Sequence, residues 1–302
     1  MGSDAVVDFI SGTVAGAAQL VVGHPFDTIK VKLQSQPKPA LGELPQFAGA
    51  FDATRKTLAS DGIKGLFKGM GAPLATVALF NAVLFATRGQ MEKLLAHSDG
   101  SPLTVGDQFV AGMGAGVAVS FLACPTELLK CRLQAQGDAA KAAEAAEVTK
   151  VRYRGPFDVL KHVRAEKGTL GLFKGFTPTL VREVTGNAVM FGVYDYLKRQ
   201  LAAAQGLKDT KELGVGSLVL AGGLGGAAYW GPVYPADVIK SRMQVDDLRN
   251  PQYRGMLDCF SKTVKAEGVG GLYRGFGPAL ARSFPANGAC FLVYELVSSS
   301  LK

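Results

Sequence analysis

Nine charged side chains and three glutamines recur in this chain at one fixed spacing, and their types suit reversible ion pairing rather than covalent chemistry. The segments read Pro25-Phe26-Asp27-Thr28-Ile29-Lys30-Val31-Lys32-Leu33-Gln34, Pro125-Thr126-Glu127-Leu128-Leu129-Lys130-Cys131-Arg132-Leu133-Gln134 and Pro235-Ala236-Asp237-Val238-Ile239-Lys240-Ser241-Arg242-Met243-Gln244. An acid and a base three residues apart share one helix face. Proline inside a helix removes a hydrogen bond and kinks it, so Pro25, Pro125 and Pro235 are expected to swing three such faces toward a common axis. There Asp27 is expected to pair with Lys130, Glu127 with Lys240 and Asp237 with Lys30, closing one end of a channel until the ring breaks. Gln34, Gln134 and Gln244 are placed to brace those pairs. Ordinary surface charge has no reason to recur in register, so a gate is the better account.

A second set of positions points to what passes the gate. Seven residues beyond three equivalent Lys/Arg-Gly pairs stand Thr76, Arg182 and Arg282, and Glu183 follows Arg182 directly. Ionisable groups at mid-membrane depth are costly and usually mark a substrate path. An arginine fork suits a carboxylate, and Glu183 suits an ammonium or quaternary ammonium. These residues therefore predict a central site for a small zwitterionic or anionic solute. Adjacent helix positions point about 100° apart, so direct pairing of Arg182 with Glu183 is expected to be strained. His24, just before the first proline, is a further candidate ligand, whereas Asn81, Asn187 and Asn287 read as packing residues. The opposite end is less complete. Tyr194-Asp195-x-x-Lys198 carries an acid and a base, Tyr294-Glu295-x-x-Ser298 only the acid, and Arg88-Gly89-x-x-Glu92 departs from both. A weaker second gate is expected there, with Glu92 and Lys198 as a pair.

These positions need long apolar elements to hold them. Stretches over 6–23, 109–124 and 213–234, and over 69–87, 176–193 and 275–293, are each close to the roughly 20 residues that span a bilayer as helix. Strands would leave unpaired edges in lipid, so the chain is expected to be an all-α membrane protein of six transmembrane helices. The repeats run over 1–100, 101–206 and 207–302. Each also carries an aromatic-x-Gly landmark (Phe47/Gly49, Tyr153/Gly155, Tyr253/Gly255) and an aromatic-base-Gly landmark (Phe67-Lys68-Gly69, Phe173-Lys174-Gly175, Tyr273-Arg274-Gly275). The GxxxG rows Gly12/Gly16, Gly112/Gly116 and Gly222/Gly226 suit close helix approach. Polar connections join the two helices of each repeat.

Composition excludes several classes. The net charge of +8 with 48% hydrophobic residues and a mean hydropathy of +0.17 fits a membrane protein enclosing a polar cavity, with anionic lipid rather than nucleic acid as the charge partner. The four cysteines have no metal-binding spacing, and Cys131 is a candidate redox-sensitive thiol. No metal, cofactor or nucleophile–base pair is expected, so the chain is not read as an enzyme. The first residues carry no secretory signal or Arg-rich transit pattern.

With these residues in view, the chain resembles the mitochondrial carrier family over nearly its whole length, most closely the carnitine/acylcarnitine branch. The segments from Gly23 to Gln34 and from Phe284 to Leu292, and Cys131 after Lys130, carry the second likeness. The resemblance implies a threefold pseudosymmetric, multi-pass monomer of the inner mitochondrial membrane working by alternating access, with both termini toward the intermembrane space. It implies cardiolipin near Gly49, Gly69, Gly155, Gly175, Gly255 and Gly275, and an Arg-acid pair at Arg182-Glu183 associated with amino acids and carnitine. Two departures stand out: Asn81 replaces a position that tends to be aromatic in carnitine carriers, and Lys167 replaces the acid seen as Asp61 and Glu267. Arg182, Glu183 and Arg282 sum to +1, which also matches glutamate. The expected function is exchange of carnitine, acylcarnitine or a related zwitterion, with glutamate or basic amino acids as the alternative cargo and a non-transporting adaptor as the alternative class.

Overall fold

The computed structural model describes residues 2–36, 45–98, 101–144, 153–207 and 209–301. The described residues form six long α-helices and three short ones: α1 (Gly2–Ser35), α2 (Ala50–Gly65), α3 (Gly71–Leu94), α4 (Val105–Glu144), α5 (Pro156–Lys167), α6 (Phe176–Ala204), α7 (Val215–Val245), α8 (Met256–Glu267) and α9 (Phe276–Leu301). The shortest of the long ones has 24 residues, so it is about 36 Å long at 1.5 Å per residue. Gly71–Leu94 and Val105–Ala135 are long and apolar enough to cross a membrane on length and composition alone. No strand occurs among the described residues.

The order long, short, long repeats three times. The odd long helices run well past the apolar stretches seen in the sequence, and Pro25, Pro125 and Pro235 lie inside them. The connections expected to be merely polar contain α2, α5 and α8. Their signature is a pair of small or branched residues four apart, Ala53/Thr57, Val159/Val163 and Cys259/Thr263, all fully buried or nearly so. Each pair faces an odd helix: Ile29 and Leu33 pack with Phe47 and Ala53, Leu128 and Leu133 with Val159 and Val163, Ile239 and Met243 with Cys259. The aromatic of each aromatic-x-Gly landmark joins its cluster.

Glycine is required at two points of each repeat. Gly62, Gly168 and Gly268 have φ of 65°, 68° and 68°, and Gly69, Gly175 and Gly275 have φ of 82°, 84° and 83°. Side chains resist this left-handed region, so the first triad breaks the short helix and the second turns the chain into the even long helix. α2 continues to Gly65 across its break at Gly62.

The chain forms two compact units. The first comprises Met1–Ala78, Ala123–Phe176 and Val238–Lys302, and so holds all three short helices; the second comprises Leu79–Leu122 and Thr177–Asp237. Of the glycine rows, that of α4 makes close backbone contact. A Cβ at Gly112 would lie 2.9 Å from the Ala188 Cα, and one at Gly116 would lie 2.7 Å from the Val184 Cα, both on α6 within the second unit. At Gly12 and Gly226 a Cβ would meet nothing within 4 Å. The expectation of close approach fails at those two positions because no other backbone lies against them.

Candidate functional site

In the first unit, α1, α4 and α9 bring one acid and two bases together. Lys130 Nζ lies 2.6 Å from Asp27 Oδ2, and Arg282 Nε lies 3.1 Å from Asp27 Oδ1. All three side chains are largely shielded from solvent, which strengthens their attraction. Gly23, one turn before Asp27, makes room for the arginine: a Cβ there would come 2.5 Å from Arg282 Nε. A second pair, Lys240 Nζ to Glu127 Oε2 at 3.2 Å, joins α7 to α4. The expected third pair, Asp237 with Lys30, would join residues of different units. Lys30 is buried, and Asp237 is described below with its neighbours in the second unit.

The glutamines brace helices rather than ion pairs. Gln134 donates its amide to the Thr28 hydroxyl at 2.9 Å, and Thr28 donates to the Leu66 carbonyl at 2.7 Å. Gln244 donates to the Cys124 carbonyl at 3.3 Å. Each amide lies four residues beyond its lysine, so it reaches the neighbouring helix beside the ion pair instead of the pair itself. Gln34 is fully buried.

His24 differs from its expected role as a solute ligand. It is fully buried, with Nε2 2.9 Å from the Lys68 carbonyl. Cys124, at the equivalent position, turns its thiol to the carbonyls of Leu172 and Lys174, each at 3.8 Å. The shared task is to satisfy a carbonyl at the turn before the even helix, where the helical ladder has ended.

In the second unit, Arg182 on α6 is 7% exposed and sits between two acids. Its Nη2 donates to Glu183 Oε1, and its Nε lies 3.8 Å from Asp237 Oδ1 on α7. The pairing of Arg182 with Glu183, expected to be strained, does form, because both side chains are long enough to bend back across the helix surface. Asn187, one turn on, donates to Glu183 Oε2 at 3.0 Å and to its carbonyl at 2.8 Å, which holds the carboxylate. Tyr229, which the sequence reading passed over, accepts a hydrogen bond from Arg182 Nη1 at 3.1 Å. Thr76, the equivalent residue on α3, is half-buried, and its hydroxyl bonds back to the Ala72 and Pro73 carbonyls of its own helix.

At the other end, the expected pair of Glu92 with Lys198 is replaced by local contacts. Glu92 lies 2.8 Å from Arg88, and Lys198 lies over the Tyr194 ring at 5.2 Å. Asp195 bonds to Arg199 at 2.7 Å. Partners four residues along a helix are within easy reach, so each acid is satisfied without crossing to another helix. Arg88 also donates to Gln108 at 2.9 Å and lies over Phe191. The Glu295 side chain lies outside the described residues.

The departure at Lys167 reroutes a contact in the first unit. In the first and third repeats the acid and the base of the turn pair, Asp61 with Lys68 and Glu267 with Arg274, at 2.9 Å each. Lys174 finds no acid at position 167 and turns to Asp246 and the Asp247 carbonyl, while Glu166 pairs with Arg249. That arginine holds the Glu166 carboxyl below its ordinary range. Beside Gly49 and Gly275 the same unit has a cleft of about 320 Å³, lined also by Phe47 and Arg274. Cys131 is buried, and burial pushes the Cys259 thiol up to about 12. No group of three His, Cys, Asp or Glu side chains able to hold a metal occurs among the described residues.

Comparison with known proteins adds the lineage. The family described as "Mitochondrial carrier protein" matches residues 2–99, 101–204 and 211–302. A "Mitochondrial carnitine/acylcarnitine carrier-like protein" of Arabidopsis thaliana is 64% identical over 99% of both chains. A "Mitochondrial substrate carrier family protein S" of Dictyostelium discoideum is 42% identical, covering 96% of this chain and 95% of the relative. A human "Mitochondrial basic amino acids transporter" is 39% identical over 96% of this chain and 89% of the relative.

Proposed function

This chain belongs to the mitochondrial carrier family, whose members are transporters and not enzymes, and on that premise we propose that it exchanges carnitine, acylcarnitine or a related zwitterionic amino acid across the inner mitochondrial membrane. The observation that carries the reading is the opposite make-up of two groups. Asp27 is shared by two bases, Lys130 and Arg282. Arg182 stands between two acids, Glu183 and Asp237. The first complements a carboxylate and the second a cationic group. Arg282 is the proposed carboxylate ligand and Glu183 the proposed ligand for the cation, with Thr76 as the uncharged third position. His24 is not proposed as a ligand, since its ring already serves the Lys68 carbonyl.

Asp27, Lys130, Glu127 and Lys240, with Asp237 and Lys30, are the proposed gate on the matrix side. Solute contacts offset the cost of opening it, so an empty carrier returns slowly and exchange is favoured. Asp195, Lys198, Glu92 and Glu295 belong to the proposed weaker gate on the cytoplasmic side. The aromatic-x-Gly and aromatic-base-Gly turns, Gly49 and Gly275 beside Arg274 among them, are the proposed seats for the phosphates of cardiolipin. The amides at a helix start suit that anion. The carrier is proposed to act as a monomer.

A second reading, transport of basic amino acids, is favoured by the two carboxylates around Arg182 and by the printed name of the human relative. Uptake into proteoliposomes preloaded with carnitine, acylcarnitines, glutamate or basic amino acids decides between them. Carnitine uptake accelerated by internal carnitine is the expected result. Uptake of arginine or lysine alone would select the second reading, and uptake of glutamate alone would reject both.

A further inference from the structure

Tyr229 on α7 packs against α6 at Gly186, one of two glycines in that helix. A Cβ placed at Gly186 would clash with the Tyr229 ring, 2.6 Å from its Cζ and nearer still to its Cε2. Gly186 stands one turn beyond Arg182, so the notch it leaves puts the phenol oxygen 3.1 Å from Arg182 Nη1. The Tyr229 ring is in turn packed edge-on against Trp230, at 5.3 Å between centroids. The sequence register shows that the two residues are matched in size. The positions equivalent to Gly186 hold Phe80 and Ala286, and those equivalent to Tyr229 hold Val119 and Gln19. Only the repeat with an Arg-acid pair combines a glycine with a facing tyrosine on the next odd helix.

Resting on the reading of Arg182 and Glu183 as solute-facing residues, we propose that Tyr229, seated in the Gly186 notch, orients the Arg182 guanidinium between Glu183 and Asp237 for solute binding. An arginine carries five donors on a flexible stem. The phenol takes a donor on Nη1 while Glu183 takes one on Nη2, which fixes the plane of the fork. A fork already fixed loses less freedom when solute arrives, so the benefit falls on binding rather than on the rate of conformational exchange. Tyr229 acts through Arg182 and is a positioning residue.

The test uses the whole carrier in proteoliposomes, with labelled carnitine, L-arginine and L-glutamate as separate probes, and thermal unfolding of the detergent-solubilised protein as the control for folding. Tyr229→Phe is expected to raise half-saturation roughly tenfold, the effect of losing one hydrogen bond to a charged group, with maximal rate within about twofold. Gly186→Ala should act in the same direction by pushing the ring away, and it supplies the readout if Tyr229→Phe fails to fold. In an Arg182→Lys background, adding Tyr229→Phe should cost less than about twofold, because an ammonium has no fork for the phenol to orient. An undiminished effect there would overturn action through Arg182. Unchanged half-saturation in Tyr229→Phe, with uptake abolished by Arg182→Ala, would overturn the tyrosine's role while leaving the solute site standing. Normal transport by Arg182→Ala would remove the solute site, and the tyrosine's role with it.

Discussion

Arg282 on α9 and Arg182 on α6 hold the same place in their repeats, yet one shares its acid with a second base and the other stands between two acids. Arg282 shares a single acid, Asp27, with Lys130. Arg182 has acids on two sides, Glu183 from its own helix and Asp237 from α7. In each unit the even-helix arginine meets the signature acid of an odd helix, so the position does not by itself decide what the arginine offers to a solute. The base Lys130 joins one group and the acid Glu183 joins the other. One register yields two kinds of site because these two neighbours differ.

Charge reversal breaks the contrast most severely. Asp27→Lys places three cations where two shared an acid, and transport is expected to fall at least about a hundredfold, in line with the cost of breaking a shielded ion pair. Adding Lys130→Asp should restore part of the rate in proteoliposome exchange, and no recovery would refute the pairing as a working gate. Glu183→Gln is the milder change in the other cluster. It keeps the shape beside Asn187 but removes one of the two carboxylates at Arg182, so half-saturation for cation-bearing solutes should rise about tenfold. An equal loss for glutamate would show that Glu183 does not choose by charge.

Smaller effects sharpen the role of the glycines. Gly23→Ala forces the Arg282 side chain to shift, and a loss of roughly threefold in uptake is expected, because the atom in the way belongs to a flexible chain. Gly12→Ala, with open space around it, should change neither uptake nor thermal stability measurably. The smallest effect concerns Cys259, whose thiol is pushed up to about 12 by burial. It should resist maleimide labelling at pH 8 in the folded carrier. Because the folded value lies above the ordinary one, its contribution to stability is present below pH 9 and is lost as pH rises toward 12. Rapid labelling at pH 8 would mean that α8 opens readily.

Much of this was legible in the residues, and the failures have physical causes. The acid-x-x-base spacing of Asp27/Lys30, Glu127/Lys130 and Asp237/Lys240 is local to a helix turn and repeats in register, so the pairings of Asp27 with Lys130 and of Glu127 with Lys240 could be read before any coordinates. The short helices were overlooked because their buried stripe is only two small residues wide, Ala53/Thr57 and its equivalents, within a charged segment. His24 was misjudged for a different reason. Its partner is the backbone carbonyl of Lys68, 44 residues away, and a carbonyl leaves no trace in a residue pattern. The direct bond of Arg182 to Glu183 was discounted on helix geometry at the Cβ atoms, whereas contact is made at the ends of long side chains.

The sequence by itself determined the threefold repeat, the all-helical membrane architecture and the equivalence of Thr76, Arg182 and Arg282, because spacing along a helix is a local property. Tertiary structure decided which acid each arginine meets, that Gln134 reaches Thr28 rather than an ion pair, and that Tyr229 enters the notch at Gly186. Those outcomes depend on how far one helix is shifted and turned against the next. A glycine sets that closeness only where another helix arrives to use it.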